Sequence, residues 1–246
     1  ALARLERGEP LPYVLGHWEF FGLDFIVMPD VLIPRPETEL LVETAISWLR
    51  QRLTLSHGDA ARKRQAAITK SNKSDLRAVD VGTGCGCIAI ALAANVPAVH
   101  IIVTDISTTA IDVARRNAKR LGVDDRIEFF CCDLFPLQQT FDLRLSTFDL
   151  IVANLPYIPT STLQSLPIYN REPSLALDGG ADGLDVIRRL LALALRHLAP
   201  GGMMLLEIEA SQGVKALALA KDSFAEAKIS LHQDLAGRDR LIEIAL

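Results

Sequence analysis

The chain has 246 residues, half of them apolar, and a formal net charge of −4 at neutral pH. This length suits one large domain or a domain with a small attachment, and the acidic balance argues against broad, non-specific binding to nucleic acid. No apolar run reaches the roughly 18 residues of a membrane-spanning helix, so we predict no membrane insertion.

The N-terminal part of the chain has no regular strand–helix alternation. Residues 1–16 lack an initiator Met and the basic-then-apolar order of a signal peptide, and we interpret them as the remnant of a helical domain of a longer protein. The stretch "HWEFFGLDFIVM" (17–28) has Gly22 between two aromatic-rich runs and predicts a β-hairpin. We therefore predict a hairpin linker at 17–30 and one large domain at 31–246.

The large domain is predicted to begin with a proline-bounded corner. The segment "IPRPETELLVETAISWLR" (33–50) predicts a helix capped near Glu37 or Thr38. The polar and basic stretch that follows, 51–75, has no clean period. We predict that this stretch is a flexible surface insertion.

From residue 77 onward, apolar strand-like runs alternate with helical patterns. Continuous apolar strands between helices indicate a mostly parallel sheet covered on both faces. We predict an α/β, Rossmann-like fold with a seven-stranded sheet and an antiparallel hairpin at one edge. The predicted strands are 77–82, 99–105, 126–133, 147–154, 203–209, 228–234 and 240–246, and the predicted helices are 85–95, 108–122, 183–202 and 212–224.

A glycine-rich turn lies between the first predicted strand and helix of this alternation, at Gly82, Gly84 and Gly86. Glycines there let the backbone approach a ligand at the carboxyl end of the strands. A dinucleotide fingerprint has its third glycine one residue later, where this chain has Cys87. The turn therefore indicates a different nucleotide cofactor.

Four cysteines are present, and their use fits a reducing compartment better than a disulfide scaffold. The Cys-Gly-Cys spacing is not that of a zinc knuckle, and no His lies nearby in sequence. We predict small packing residues and no metal site at these positions, which are Cys85, Cys87, Cys131 and Cys132.

Three aspartates lie at or near the ends of consecutive predicted strands. Asp80, before the glycines, suits an ammonium group, reached directly or through water. Asp105 is placed to accept both ribose hydroxyls, and Asp133 to read an adenine amino group. This set resembles the class I S-adenosylmethionine-dependent methyltransferases, which implies that cofactor.

A rigid polar corner follows the fourth predicted strand in "DLIVANLPYIP" (149–159). An amide nitrogen is a poor nucleophile because its lone pair is delocalised. Acceptors at the Asn154 side chain and the Leu155 carbonyl can bind both N–H hydrogens and direct the lone pair at a methyl group. Pro156 holds these acceptors rigid, and Tyr157 can lie against a flat substrate group. The corner resembles that of methyltransferases acting on planar nitrogens.

The corner alone leaves the substrate open between a glutamine amide and an adenine amino group of RNA or DNA. Leu155 in "NLPY" resembles ribosomal RNA adenine dimethyltransferases, whereas glutamine methyltransferases more often have Pro at that position. A third alternative is a regulatory subunit that binds the cofactor without catalysis, but such a subunit has no reason to keep Asn154.

Longer segments resemble the release-factor glutamine N5-methyltransferases (the HemK or PrmC family). They are "PLPYVLGHWEFFGLDFIV" (10–27), "LIPRPETELLVE" (32–43) and "NREPSLALDGGADGLDVIRRLL" (170–191). The resemblance covers essentially the whole chain except 51–75. It implies methylation of the glutamine in the Gly-Gly-Gln motif of class I peptide chain release factors.

The resemblance also implies site residues and cellular context. We expect a monomer in the cytoplasm or an organellar matrix, without stably bound nucleic acid. Leu155 replaces a proline, and Leu134 replaces an aromatic residue of some members. The implied substrate contacts are Asn154, Leu155, Pro156 and Tyr157, and the implied cofactor contacts are Gly82, Thr83, Gly84, Cys85, Gly86, Asp105, Leu134 and Asn154.

Four charged residues outside these motifs have two interpretations each. Arg35 and Glu37 either face the ligands or belong to a capped helix start. Arg171 and Glu172 form either part of the site or a local ion pair that shapes the 155–183 loop. We predict a catalytic role for none of them.

Overall fold

A seven-stranded sheet forms the centre of the fold. The computed structural model describes residues 1–63, 76–136 and 147–246. In chain order the strands of this sheet are β3 (Leu76–Val81), β4 (Val99–Asp105), β5 (Ile127–Cys131), β6 (Phe148–Ala153), β7 (Leu198–Glu207), β8 (Lys228–Gln233) and β9 (Asp239–Ala245). Their spatial order is β5-β4-β3-β6-β7-β9-β8.

The pairing within this sheet confirms the predicted fold class. Strands β5, β4, β3, β6 and β7 are parallel to their neighbours, and β9 is antiparallel to both β7 and β8. Successive strands leave β3 in opposite directions along the sheet, towards β4 and towards β6. The carboxyl ends of these three strands therefore border a crevice at the topological switch point, where open α/β sheets bind ligands.

Helices cover both faces of the sheet, as the apolar strands require. Leu150 and Val152 pack in one apolar cluster, and Ile151 and Ala153 pack in another on the opposite face. The helices are α1 (Leu2–Glu6), α2 (Leu11–Leu15), α3 (Glu39–Lys63), α4 (Cys87–Asn95), α5 (Thr108–Arg120), α6 (Thr160–Leu163), α7 (Asp185–Ala194) and α8 (Gly213–Ser223). The first cluster includes side chains of α3, α4 and α5, and the second includes side chains of α7 and α8.

The predicted N-terminal hairpin is present as a separate two-stranded sheet of β1 (His17–Phe20) and β2 (Leu23–Ile26). Asn117 of α5 binds it through two hydrogen bonds. The Ile26 backbone N–H donates to Asn117 Oδ1 at 2.8 Å, and Asn117 Nδ2 donates to the Ile26 carbonyl at 3.0 Å. The hairpin is therefore attached to the same helix that follows β4.

The helix predicted over 183–202 is wrong at its C-terminal end. Helix α7 ends at Ala194, and β7 already begins at Leu198. Leu198 fits the helical period, but it is buried and pairs with Phe148 of β6. An irregularity in the β6–β7 register accommodates the Pro-Gly-Gly residues, and Gly201 has a positive φ of 70° there.

The flexible insertion predicted over 51–75 is wrong for its first half. Helix α3 continues from Glu39 to Lys63, although the polar residues after 50 give it no clean apolar stripe. Arg50, Gln51 and Arg52 are good intrinsic helix formers, and Leu53 packs against the first apolar cluster. The rest of the predicted insertion, 64–75, lies outside the described residues.

Candidate active site

The glycine-rich turn connects β3 to α4 at the crevice. Gly82, Gly84 and Gly86 have φ values of 75°, 57° and 86°, which only glycine adopts without strain. A Cβ on Gly84 would meet no atom within 4 Å. The backbone of Gly84 therefore faces open space, as a cradle for a ligand requires.

Gly86, which the sequence analysis predicted as a cofactor contact, has a packing role in the structure. A Cβ there would lie 2.9 Å from Ile90 Cδ1 and 3.1 Å from Ala114 Cβ. The absence of a side chain thus lets the start of α4 approach α5. Gly86 does not line the cavity described below.

Asp80 lies behind the turn and does not line the cavity described below, so of the two predicted routes to an ammonium group, direct or through water, this position favours the one through water. Its side chain is fully buried and accepts hydrogen bonds from Thr83 Oγ1 at 2.7 Å and from the Ala89 backbone N–H at 3.3 Å. Burial raises the pKa of Asp80 to about 7. Within the described part of the chain its Oδ1 atom has no partner, so this aspartate anchors the turn and keeps one free acceptor beneath it.

A cavity of about 220 Å³ lies at the carboxyl ends of β3, β4 and β6. It is lined by most of the residues that the sequence predicted for a cofactor, which are Gly82, Thr83, Gly84, Cys85, Asp105, Asp133, Leu134 and Asn154. Leu155 and Pro156, predicted as substrate contacts, line it as well.

Asp105 at the end of β4 is held in a fixed orientation at this cavity. Its Oδ2 accepts the Gly84 backbone N–H, and its Oδ1 accepts the Ser107 backbone N–H, both at 2.9 Å. Burial is the largest influence and raises the pKa of Asp105. Each carboxylate oxygen has a second lone pair, so the pair can accept two adjacent hydroxyl groups.

Asp133 and Leu134 line the same cavity in different ways. Asp133 forms an ion pair with Arg189 and is half-exposed, so it is less available to an amino group than predicted. Leu134 is buried and has a positive φ of 60°. Its carbonyl accepts a hydrogen bond from Thr104 Oγ1 at 2.6 Å, which holds the side chain at the cavity wall.

The Asn-Leu-Pro-Tyr corner separates this cavity from a second, smaller one. The second cavity has a volume of about 90 Å³ and is lined by Asn154, Leu155 and Tyr157 together with Arg35 and several apolar residues. Asn154 and Leu155 line both cavities, whereas Tyr157 lines only the smaller one. Asn154 and Leu155 therefore form a common wall at which groups bound in the two cavities can come into contact.

The glycines of "DGGADGL" pack against the backbone of this corner. A Cβ on Gly179 would lie 2.8 Å from the Pro156 carbonyl oxygen, and one on Gly183 would lie 2.2 Å from the Tyr157 carbonyl oxygen. Gln212 Nε2 also donates to the Tyr157 carbonyl, at 2.8 Å. A segment some 25 residues away thus fixes the corner in place.

Two polar residues beneath the corner were missed as site residues by the sequence analysis. Asn154 Nδ2 donates to Thr38 Oγ1 at 3.1 Å, and the Tyr157 hydroxyl donates to Glu207 Oε1 at 3.4 Å. Thr38 and Glu207 are each 2% exposed. The sequence contains one signal for Glu207, which is a carboxylate near the end of the apolar run "MMLLEIE". A carboxylate in a buried strand needs a structural or functional reason.

Arg35 is paired with a residue far away in sequence. Its guanidinium binds the Glu172 carboxylate, which also accepts the Ile33 backbone N–H at 3.2 Å. The alternative of a local Arg171–Glu172 ion pair is therefore wrong. The observed pair connects the proline corner at 33–38 to the loop that follows β6.

The donor and acceptor set of the larger cavity fits a nucleoside with a charged tail. It combines a glycine cradle, a fixed carboxylate and apolar side chains such as Leu134. Within the described residues, no group of three or more His, Cys, Asp or Glu side chains could hold a metal ion. Nor does any described helix combine the length and apolarity that crossing a membrane requires.

Comparison with known families gives two consistent results. Residues 72–235 match a family model described as a methyltransferase domain. The N-terminal domain of human METTL16 in complex with SAH is similar in fold, with a TM-score of 0.57 at 18% identity over 91% of this chain and 76% of that one.

Two curated relatives match nearly the whole chain. A release factor glutamine methyltransferase of Moorella thermoacetica is 42% identical over 98% of this chain and 76% of its own length. The protein of the same name from Geobacter sulfurreducens is 38% identical over 98% of this chain and 75% of its own length.

Proposed function

The chain belongs to the release factor glutamine methyltransferase family, and we propose that it methylates the glutamine of the Gly-Gly-Gln motif in class I peptide chain release factors. The methyl donor is S-adenosylmethionine, and the acceptor is the side-chain amide nitrogen. The observation that carries this proposal is the common wall of Asn154 and Leu155 between a larger and a smaller cavity.

The larger cavity would hold the cofactor. Gly82, Thr83, Gly84 and Cys85 would surround its charged tail, and Asp105 would accept the ribose hydroxyls. Leu134 offers an apolar surface to the base, and Asp133 can reach its amino group only in competition with Arg189. The free, buried oxygen of Asp80 adds an acceptor for a positive charge through water. When bound, S-adenosylmethionine supplies a methyl group on a positively charged sulfur.

The smaller cavity would hold the substrate glutamine. The Asn154 oxygen and the Leu155 carbonyl would each accept one N–H of the substrate amide, which keeps its nitrogen lone pair directed at the common wall. Pro156 limits backbone motion between these acceptors. The ring of Tyr157 would close the cavity on the side of Glu207.

No strong general base is needed at this site. As the new N–C bond forms, the bond from the methyl carbon to sulfur breaks, and the nitrogen carries an extra proton. A protonated amide is a strong acid, so water can take that proton. The role of the protein is therefore to orient the two groups, which alone can contribute several kcal/mol to lowering the barrier.

We further propose how the rest of the chain serves this reaction. Residues 1–16 would belong to a part that docks the release factor, with 17–30 as a linker to the catalytic domain at 31–246. The chain would act as a monomer in the cytoplasm or an organellar matrix, without stably bound nucleic acid. The acidic net charge supports the last point.

Mass spectrometry of the substrate tests the function directly. A class I release factor is incubated with this chain and S-adenosylmethionine, and tryptic peptides are compared with those of a release factor carrying Gln→Asn in the Gly-Gly-Gln motif. We expect one added methyl on the glutamine and none on the variant. An unmodified glutamine, with label entering RNA or DNA adenine instead, would contradict the proposal.

A further inference from the structure

The side chains beneath the corner are adjacent because of the sheet register. Ala153 of β6 pairs with Leu206 of β7, so Asn154 and Glu207 follow at neighbouring positions where the two parallel strands end. Thr38, at the end of the 3-10 helix Pro36–Thr38, lies against both. Three distant segments therefore place an amide, a hydroxyl and a carboxylate together in the interior.

The orientation of the Asn154 amide needs a cause, because its two ends have nearly the same shape. Substrate binding requires the oxygen to face the cavity, whereas the reversed amide would present N–H donors to another N–H donor. Shape alone does not distinguish these orientations. The orientation must therefore be set by the hydrogen-bond partner of the Asn154 amide on the side away from the cavity.

Thr38 can fix the orientation of the Asn154 amide only if its own hydroxyl hydrogen points to a different acceptor. Its hydroxyl accepts from Asn154 Nδ2 at 3.1 Å, so its hydrogen must point to another acceptor in this buried place. The Glu207 carboxylate lies close enough for the Thr38 hydroxyl to lower its pKa, and its buried Oε2 atom has no hydrogen-bond partner among the described residues, so this oxygen is free to accept the Thr38 hydrogen. Tyr157 fixes the opposite oxygen of the same carboxylate.

We propose that Glu207 is a positioning residue that acts through Thr38 to keep the Asn154 oxygen facing the substrate cavity. The carboxylate accepts a hydrogen bond from the Thr38 hydroxyl, Thr38 then offers only a lone pair to Asn154, and Asn154 must donate its N–H to Thr38, away from the substrate cavity. This inference rests on the proposed function, because it explains how the amide-binding acceptor is oriented.

The same arrangement predicts a pH dependence. Burial raises the pKa of Glu207 to about 7. Glu37 raises this pKa further, whereas Arg240 and the hydroxyls of Thr38 and Tyr157 lower it. Among the described residues the Cys87 thiol also interacts with this carboxylate, since Glu207 contributes to the raised pKa of Cys87.

The direction of the pH effect follows from the proton positions. Above pH 7 the ionised carboxylate accepts from Thr38, and Asn154 is held in the active orientation. Below pH 7 the protonated carboxyl group can donate to Thr38, whose hydroxyl is then free to donate to a reversed Asn154. The value of kcat should therefore fall as the pH decreases through about 7.

Two Thr38 variants test the chain of hydrogen bonds from Glu207 through Thr38 to Asn154, here called the relay, and one of them serves as the matched control. Thr38→Val removes the hydroxyl at nearly constant shape, and Thr38→Ser keeps it. We expect T38V to lose kcat by about 100-fold, the scale of a misplaced reacting group, and T38S to recover most of that loss. Because Thr38 also lines the larger cavity, the Kd for S-adenosylmethionine is measured by calorimetry for both variants, and we expect it to change much less than kcat.

Glu207→Gln tests the carboxylate itself. A neutral side-chain amide cannot change its protonation in this range, so we expect a lowered kcat that no longer shows the step near pH 7. Wild-type kcat in T38V and E207Q would overturn the inference, as would a T38S variant as impaired as T38V. Loss of cofactor binding in step with kcat would overturn it too, because it indicates general damage.

A readout that needs no activity separates this inference from the proposed function. The 13C resonance of the Glu207 carboxyl group, assigned with E207Q, should titrate near pH 7. In T38V its pKa should rise, because the hydroxyl that lowers it is gone, and in T38S it should stay. If wild-type enzyme leaves the glutamine unmodified, the proposed function fails, and this titration still decides the relay. A titration at the ordinary glutamate value would exclude it.

Discussion

The two cavities on either side of Asn154 and Leu155 are built in different ways. The larger cavity uses the ends of consecutive strands and the turn between β3 and α4, so about half of its wall comes from the stretch 81–134, and the rest comes from 30–38, 154–156 and 173–189. The smaller one combines segments around residues 32–35, 154–158, 168 and 176–177, which are far apart in sequence. Local backbone geometry therefore shapes a large part of the first cavity, whereas the second depends on long-range contacts throughout.

This difference indicates which residues determine the specificity for the substrate. Glycines with positive φ and strand-end aspartates can serve any reaction of a nucleotide cofactor, because they contact the part common to all of them. The substrate side depends on contacts such as Arg35 with Glu172 and Gly183 with the Tyr157 carbonyl. Altering the larger cavity should therefore change cofactor affinity, and altering the smaller one should change turnover.

The largest expected effect is at the common wall. Asn154→Ala removes the side-chain acceptor for the substrate amide, and we expect kcat to fall about 100- to 1,000-fold, as for loss of one preorganised polar group at a reacting centre. Leu155→Pro is the matched control, since the backbone carbonyl remains and the family more often has proline there. It should retain most of the wild-type kcat.

Both variants are measured as initial rates of release-factor methylation at saturating cofactor. If N154A keeps more than about a tenth of the wild-type kcat, a difference of less than ~1.4 kcal/mol, Asn154 is not the acceptor. If L155P is as impaired as N154A, the rigid backbone of the corner matters more than the amide.

The same contrast explains how much of the molecule the sequence predicts. Periods of strands and helices predict the sheet, because apolar burial on both faces imposes them locally. The end of α7 is missed because Leu198 satisfies the helical period and the strand equally well. No periodicity indicates that β7 includes Pro200 and the two glycines after it.

The candidate site divides in the same manner. The turn at 82–86 and Asp105 can be predicted because their φ angles and strand-end positions depend on nearby residues. The burial of Asp80 behind the turn, and the role of Gly86 against α5, depend on packing that is not written locally. Thr38 and Glu207 are 169 positions apart, so only the sheet register shows that they meet at Asn154.

A smaller effect is expected when the support of the substrate side is weakened. Glu172 is nearly buried and binds both the Arg35 guanidinium and the Ile33 backbone N–H. Glu172→Gln removes a buried carboxylate charge from the partly exposed Arg35 guanidinium, and we expect a loss of about 2 kcal/mol in the free energy of unfolding, less than for a fully buried pair. The KM for the release factor should rise while the Kd for the cofactor changes little.

The control is Asp182→Asn, which removes an exposed ion pair with Arg188. Surface pairs contribute at most about 1 kcal/mol, so urea denaturation should separate the two variants clearly. Equal losses in both would mean that the Arg35–Glu172 pair does not hold the proline corner to the loop after β6.

The smallest effect is expected from a single methyl group on the cofactor side. Gly84→Ala and Gly237→Ala both place a Cβ where no atom lies within 4 Å, at φ values of 57° and 72°. The left-handed backbone costs each variant about 1–2 kcal/mol of stability, so their unfolding midpoints in urea should fall together. Only the Gly84 methyl extends into the larger cavity, and only G84A should lose affinity for S-adenosylmethionine, by about tenfold or 1.4 kcal/mol. Calorimetric titration of both variants gives the answer directly. Unchanged affinity in G84A would mean that the cofactor does not contact the turn at Gly84. The distinction between a locally built cofactor side and a substrate side built by long-range contacts would then be wrong.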